Sequence, residues 1–453
     1  MCSQKDFTIA IVGGGFVGLV CAIELARAGI PVNVFEATSG YGDIGAGVGI
    51  GPNALRVLKH MGIADEIESV LEDQGPHQSL MTFVRGEDVH HVVYQYPSDK
   101  RKDQGLAVHR AAFLNALLRV VPSNVKSHLN KRCVSVSTMP DGRARVRFAD
   151  GTEHIADVVV GADGIKSVVR AHALGDKDDR LVDTLCCAYR TLVPMQQLLD
   201  AGVDPELLKP HARCWMGNGK HIIMYPVSSG TMLNIAAFTT DRSRPMQPAG
   251  PKSSWSTWVS PAPLSEVLSA FSDFGPDAKA ILGCIDVPSK WAVHGMYPPM
   301  DTYVGRARTE GESRDRPGMM KVNAVLVGDA AHAMLPHLGA GAGAGIEDAF
   351  VLARLLAHPQ TKRRNLNEVL RAYDSVRVPR GAYIANASKR AEDAYQGRGP
   401  NGSSDAGRRK DLTLQWERVW EHDAQTDVQR AIGALVARGV FFGPAHERVQ
   451  ARL

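Results

Sequence analysis

Short apolar runs that end on a glycine or a carboxylate punctuate this chain. Phe7 to Val12 (FTIAIV) and Val32 to Phe35 are continuous apolar runs of strand length. Between them, FVGLVCAIELARAGI places its apolar residues at helical spacing and stops at Gly29. The segment Asp157 to Gly164 (DVVVGADG) and the segment Val325 to Asp329 (VLVGD) each drive a β-type run into a turn carrying a carboxylate. Open α/β sheets bind ligands at that end of their strands. Cys133 to Val160 reads as a three-stranded meander with turns at Asp141-Gly142 and Asp150-Gly151.

From 181 to 285 the pattern changes. Tyr189-Arg190, His211 to Met216, His221 to Val227 and Met232 to Phe238 read as strands of an antiparallel sheet, and Pro and Ser then dominate 243–263. After a polar insertion at 305–321 the chain returns to the strand before Asp329. A glycine-alanine run follows, with a helix from about Ile346. The remainder is mostly helical, with a Gly/Ser/Asn-rich linker at 397–407 and a tail helix near 411–438 carrying Trp416 and Trp420 on one face. The expected fold class is α/β: a Rossmann-like domain, an antiparallel-sheet domain, and a helical C-terminal part. The expected boundaries are 1–180 (with a small sheet near 80–105), 181–285, 286–395 and 396–453.

Composition narrows the partners. The 453 residues are 44% hydrophobic and 22% charged with a net charge of +4, which gives no reason to expect nucleic acid or a membrane surface. No run approaches the ~20 apolar residues of a membrane span. Seven dispersed cysteines without a CxxC pair fit a reducing compartment and argue against a metal site. The cytoplasm is the default location; the terminal Ala451-Arg452-Leu453 loosely resembles a peroxisomal address.

The candidate chemistry begins with Gly13-x-Gly15-x-x-Gly18 between the first strand and its helix. Gly13 makes the turn, Gly15 lets backbone approach a pyrophosphate, and Gly18 lets helix and strand pack closely. Glu36, at the end of the second strand, is placed to accept hydrogen bonds from a ribose. Asp43 to Gly51 (DIGAGVGIG) is a second glycine-rich loop, and Arg110 stands just before a helix. Gly339, Gly341, Gly343 and Gly345 leave a backbone surface on which a flat ligand can lie. His332 and His337, five apart in a loop, have poor metal-ligand spacing and read better as lining that pocket.

GGGFVG at 13–18, DVVVGADGIKSVVR at 157–170 and GDAAHAMLPHLGAGAGAGIEDA at 328–349, in this order, resemble the flavoprotein aromatic hydroxylases of the para-hydroxybenzoate hydroxylase fold, above all the salicylate hydroxylase group. The likeness runs from about Phe7 to Ala394. It implies FAD held by Gly13, Gly15, Gly18 and Glu36 at its ADP half. Arg110 and Asp163 would contact cofactor, Asp329 would bind the ribityl chain, and Gly49, Gly341 and Ala342 would line the flavin. NADH or NADPH would bind transiently as co-substrate. The implied reaction is hydroxylation of a phenolic acid, salicylate- or hydroxybenzoate-like, through a flavin hydroperoxide and with or without loss of the carboxylate. The partners are then a small phenol and O2, in a monomer or homodimer. His221 and Tyr225, four apart on one strand, match a pair used near the substrate hydroxyl, and Arg190 matches an Arg that holds an anionic oxygen. Leu338 and Ala344 depart from the family, which often has Gln there. The alternatives are a dearomatising hydroxylase of a larger polyketide-derived phenol and, more distantly, a non-catalytic FAD-fold binding protein.

Overall fold

The computed structural model describes residues 5–41, 47–71, 81–87, 91–96, 105–174, 180–209, 211–249, 258–305, 322–413 and 415–443. Residues 43–46 of the second glycine-rich loop, 306–321 of the polar insertion and the C-terminal tripeptide lie outside the described residues.

The first apolar run forms the strand Ile9–Val12, buried at every position. It pairs in parallel with Val32–Phe35 on one side and Val158–Gly161 on the other. Burial on both faces is why these runs are continuously apolar rather than alternating. Ala324–Leu326 adds in parallel beyond Val158–Gly161, and Val125–His128 closes the far side of a six-stranded sheet. The turns at Gly13, Asp163 and Asp329 therefore all stand at the carboxyl ends of neighbouring strands. The meander Cys133–Thr138, Ala144–Phe148 and Glu153–Ala156 is a separate three-stranded sheet, as its turn residues predict.

The second sheet has nine strands and is larger than expected. Its spine is the 14-residue strand Leu181–Pro194, which pairs with Met232–Thr240 and with Ser289–Met296. The expected boundary at 285 thus moves past Met296. Met81–Arg85 and His91–Gln95 extend this same sheet through Ala212–Met216, instead of forming a small sheet of their own. Period-two alternation divides its residues between two faces. Tyr189, Val193, Ile222, Met224, Leu233 and Ile235 pack under short helices bearing Leu198, Val267, Phe271 and Ile281. The opposite face carries Ala188, Arg190, His221, Ile223, Tyr225, Asn234, Ala236 and Phe238, in register across three strands.

The helix of the glycine run spans Gly341–Ala357, starting five residues before its expected start at Ile346. A Cβ on Gly345 would lie 2.5 Å from Val17 and 3.0 Å from the Gly328 backbone, so this helix crosses the fingerprint helix Phe16–Arg27 at close range. The 30-residue helix Leu366–Tyr395 joins the two domains. Beyond it the tail is three short helices, Asp405–Leu412, Glu417–Trp420 and Ala424–Ala437, not one. Trp416 and Trp420 stack at 5.3 Å, and Trp416 Nε1 donates to the Leu338 carbonyl at 3.1 Å. Among the described residues no helix is long and apolar enough to cross a membrane.

Candidate active site

The three fingerprint glycines occupy three different environments. Gly13 has φ +104°, and a Cβ there would sit 2.2 Å from the Ala162 carbonyl oxygen. A Cβ on Gly18 would lie 2.0 Å from the Gly13 oxygen, so neither position admits a side chain. Gly15 instead faces open space with nothing within 4 Å, at the start of a helix that has no side-chain cap. Uncapped first-turn N–H groups and the helix dipole favour an anion at that point. Glu36 accepts from the Gly14 N–H at 2.8 Å and from the Thr38 N–H and hydroxyl at 2.9 and 2.8 Å, so it also holds the loop in shape.

The two Gly-Asp turns do different work. Asp163 accepts from Ser167 Oγ at 2.5 Å and from the Val168 and Val169 N–H groups at 2.7 and 3.2 Å, capping the helix Val168–Leu174. Burial pushes its carboxyl pKa up against these bonds. Arg170, on that helix, donates to the Ala330 carbonyl at 3.2 Å and ties this turn to the next. Asp329 is exposed at the strand end, free to meet a ligand hydroxyl. The glycine-run helix also begins without a side-chain cap, leaving the N–H groups at Gly341 and Ala342 as donors.

His332 does not line this pocket. It is 3% exposed, and its Nε2 meets Asp348 Oδ2 at 2.6 Å behind the glycine run.

Gly47–Ile50 pairs with Leu106–His109, so Arg110 follows His109 directly opposite Gly47. Gly49 faces open space, whereas a Cβ on Gly47 would lie 2.9 Å from Tyr225 Oη and 3.2 Å from Asn234. Arg190 donates to the Gly47 carbonyl at 3.5 Å, with its guanidinium 5.6 Å from the Trp291 ring centre. Burial draws the Arg190 pKa down; Tyr225 opposes this and Arg110 adds to it, so the three groups sense one another. Burial raises the Tyr225 hydroxyl pKa, with Arg190 opposing. Arg190, Asn234 and Trp291 also line a half-open cleft of about 240 Å³ with Leu192 and Val287.

Tyr225 and Arg190 are thus brought together, while His221 stands apart. It shares their face, but at i, i+4 it lies roughly 13 Å along the strand from Tyr225. There it is fully buried, stacked on Phe238 at 4.7 Å and edge-on to His337 at 5.0 Å. Glu392 and Arg242 complete this end of the sheet, and neither was singled out by the sequence. Glu392 sits inside an amphipathic helix where nothing in the pattern distinguishes it. Asn234, by contrast, is a polar residue in the apolar strand MLNIAAF and could have been noticed. Cys186, His337 and Glu392 bring their donor atoms within 4.8 Å of one another, but Arg242 and Thr240 already engage Glu392.

The open backbone at Gly15 and Gly49, two uncapped helix N-termini and an exposed Asp329 fit the chemistry of a flavin dinucleotide. Such a cradle, faced by the polar side of a second domain's sheet, defines a two-domain flavin-dependent oxidoreductase. The chain matches the FAD binding domain family over residues 6–178 and 312–388, and it belongs to that family. It is 36% identical over 446 residues to a salicylate hydroxylase of Pseudomonas putida, covering 96% of each chain. It is 32% identical over 450 residues to the FAD-dependent monooxygenase pigN of Monascus ruber, covering 94% of this chain and 96% of that one. A solved salicylate hydroxylase substrate complex superposes with a TM-score of 0.79 at 29% identity, covering 95% of this chain and 98% of the other. The protein is an FAD-dependent aromatic-ring monooxygenase of the salicylate hydroxylase type.

Proposed function

We propose that the protein uses NAD(P)H and O2 to hydroxylate a small phenolic acid, salicylate- or hydroxybenzoate-like, with loss of the carboxylate where hydroxylation falls on the carbon that bears it. What supports this reading most is Arg190. It is a half-buried guanidinium with no carboxylate partner among the described residues, beside Tyr225 and the backbone strand that flanks the flavin cradle. A cation drawn out of water without a counter-ion is costly, and an aromatic carboxylate or phenolate oxygen supplies one.

FAD, when bound, would relay the reducing equivalents that NAD(P)H supplies and would activate O2. The protein's own part is to place the ring and raise its electron density. Arg190 orients the anionic oxygen. The Tyr225 hydroxyl, its pKa raised by burial, stays protonated and donates a hydrogen bond that favours a phenolate. The nine-stranded sheet walls the chamber on one side.

The half-open cleft beside Arg190 favours a second reading, a dearomatising hydroxylase of a larger polyketide-derived phenol. Titrating a panel of phenolic acids and bulkier phenols into the yellow holoenzyme, and scoring NADH and NADPH oxidation stimulated by each, separates the two. The proposal expects the compact acids to bind and stimulate best. Stimulation by the bulky phenols alone would overturn it.

A further inference from the structure

Glycines at 47, 49 and 51 alternate along one extended run, so they share a face. A Cβ on Gly47 would meet Tyr225 and Asn234, and one on Gly51 would meet Asn53 Oδ1 at 2.7 Å and Trp420 Nε1 at 3.3 Å. One on Gly49, between them, would meet nothing within 4 Å. The open backbone of this strand is therefore bounded by Tyr225 at one end and by Trp420 at the other.

The other wall of the cradle is the loop that enters the glycine-run helix, and it is held from behind. The Leu335 carbonyl accepts from Ser388 Oγ at 2.5 Å, that of His337 from Tyr395 Oη at 3.2 Å, and that of Leu338 from Trp416 Nε1 at 3.1 Å. Trp416 and Trp420 stack at 5.3 Å and 17°, so a single pair of rings touches both walls. The pair is itself fixed. Carbonyls at the end of a helix have no intrahelical partner. Here Arg380 donates to those of Arg418 and Val419 at 2.7 and 2.9 Å, and Arg56 to those of Trp420 and His422 at 3.1 and 2.7 Å. Tyr96 meets both indoles edge-on, at 5.1 and 5.5 Å. Both tryptophans lie beyond residue 388, where the match to the FAD binding domain family ends.

We infer that the Trp416–Trp420 pair is a positioning element of the flavin site. By holding the Leu338 carbonyl on one wall and abutting Gly51 on the other, it sets the gap that receives the cofactor. This role follows from the FAD cradle alone and holds whichever phenol the chamber takes. Without the Trp416 N–H, the buried Leu338 carbonyl loses its donor, a cost that the loop relieves only by shifting. Reacting groups misplaced by about 1 Å can lose a hundred-fold in rate, so the gap bears on oxygen transfer as well as on cofactor retention.

The test compares four variants of the holoenzyme. Trp416→Phe keeps the ring and removes the N–H. Trp420→Ala removes the contact at Gly51, and Trp420→Phe keeps a ring there. Phe83→Leu loosens the same aromatic cluster, in which Phe83 lies 5.8 Å from Trp416, but makes neither link. Flavin release on dilution reads FAD affinity, visible circular dichroism reads the flavin's surroundings, and thermal denaturation of the FAD-free protein reads stability. Trp416→Phe and Trp420→Ala should each weaken FAD roughly ten-fold and change the flavin dichroism. Trp420→Phe should restore most of what Trp420→Ala loses. Phe83→Leu should lower thermal stability while keeping the parent's FAD affinity and dichroism. Parental affinity and dichroism in both Trp416→Phe and Trp420→Ala would overturn the inference and reduce the pair to packing. A Phe83→Leu variant that loses as much FAD affinity as Trp416→Phe would overturn it too. Should Trp420→Ala fail to fold, Trp416→Phe decides between the same two outcomes.

Discussion

Residue by residue, the fingerprint separates what the fold needs from what the cofactor needs. A Cβ on Gly18 would clash with a backbone oxygen at 2.0 Å, while Gly15 faces only open space. Gly18→Ala should therefore lower thermal stability and FAD content together. Gly15→Ala should keep the stability of the FAD-free protein but weaken FAD binding; thermal denaturation with and without added FAD reads both. At the other domain, a charge-assisted contact contributes roughly 1.5–3 kcal/mol, or about ten- to a hundred-fold in affinity. Arg190→Ala should raise the dissociation constant of salicylate by that factor with FAD content unchanged. Equal affinity in flavin-perturbation titrations would mark Arg190 as structural. Tyr225→Phe should leave binding nearly intact but release more H2O2 per product, because the ring loses a group that favours phenolate. His221, in the next polar cluster, should change coupling less than Tyr225, an order that peroxide titration can reverse.

At the scale of elements, a buried ion network clamps the glycine-run helix between the long helix and the C-terminal helix. Arg377, 0% exposed, donates to Asp348 at 2.7 Å, Asp427 at 2.7 Å and Glu347 at 2.8 Å. It also reaches the Ala344 carbonyl at 3.1 Å. Removing one partner from such a network costs about 3–5 kcal/mol, so Arg377→Ala should shift the urea midpoint strongly. The network also sets an acid limit. Burial disfavours the Glu347 carboxylate, but Arg380 and Arg377 overcome this and hold its pKa at about 2, below the ordinary 4.5. A depressed carboxyl pKa stabilises the fold above 4.5, and that contribution is lost as pH falls toward 2. Asp348 and Asp427 are shifted in the same direction. His332 has the opposite sign: its raised pKa contributes below 6.5 and fades as pH rises through the folded value. Urea midpoints should therefore drop between pH 4.5 and 2, and less steeply in Asp427→Asn than in the parent.

For the whole molecule, legibility tracked how local each signal was. The strands ending at Gly13, Gly161 and Gly328 were readable because burial on both faces leaves an unbroken apolar run, and the glycines because a turn or a close approach dictates them. The extent of the second sheet was not. Met81–Arg85 joins it through Ala212–Met216, a pairing across more than a hundred residues that no local pattern encodes. The Trp416–Trp420 spacing is helical but spans only the short helix Glu417–Trp420, so it carries no sign that the tail divides into three helices. At the site, Arg190 and Tyr225 could be named from the family resemblance, but not their convergence on Gly47. Glu392 and Arg242 meet only because the long helix crosses the sheet. The measurement that bears most directly on the function is turnover of salicylate by the holoenzyme under isotopically heavy dioxygen, with mass spectrometry of the product. Monooxygenation predicts one heavy oxygen atom in each product molecule and NAD(P)H consumed in step with it. NAD(P)H oxidation with all the oxygen recovered as H2O2, for salicylate and every phenolic acid tried, would contradict it.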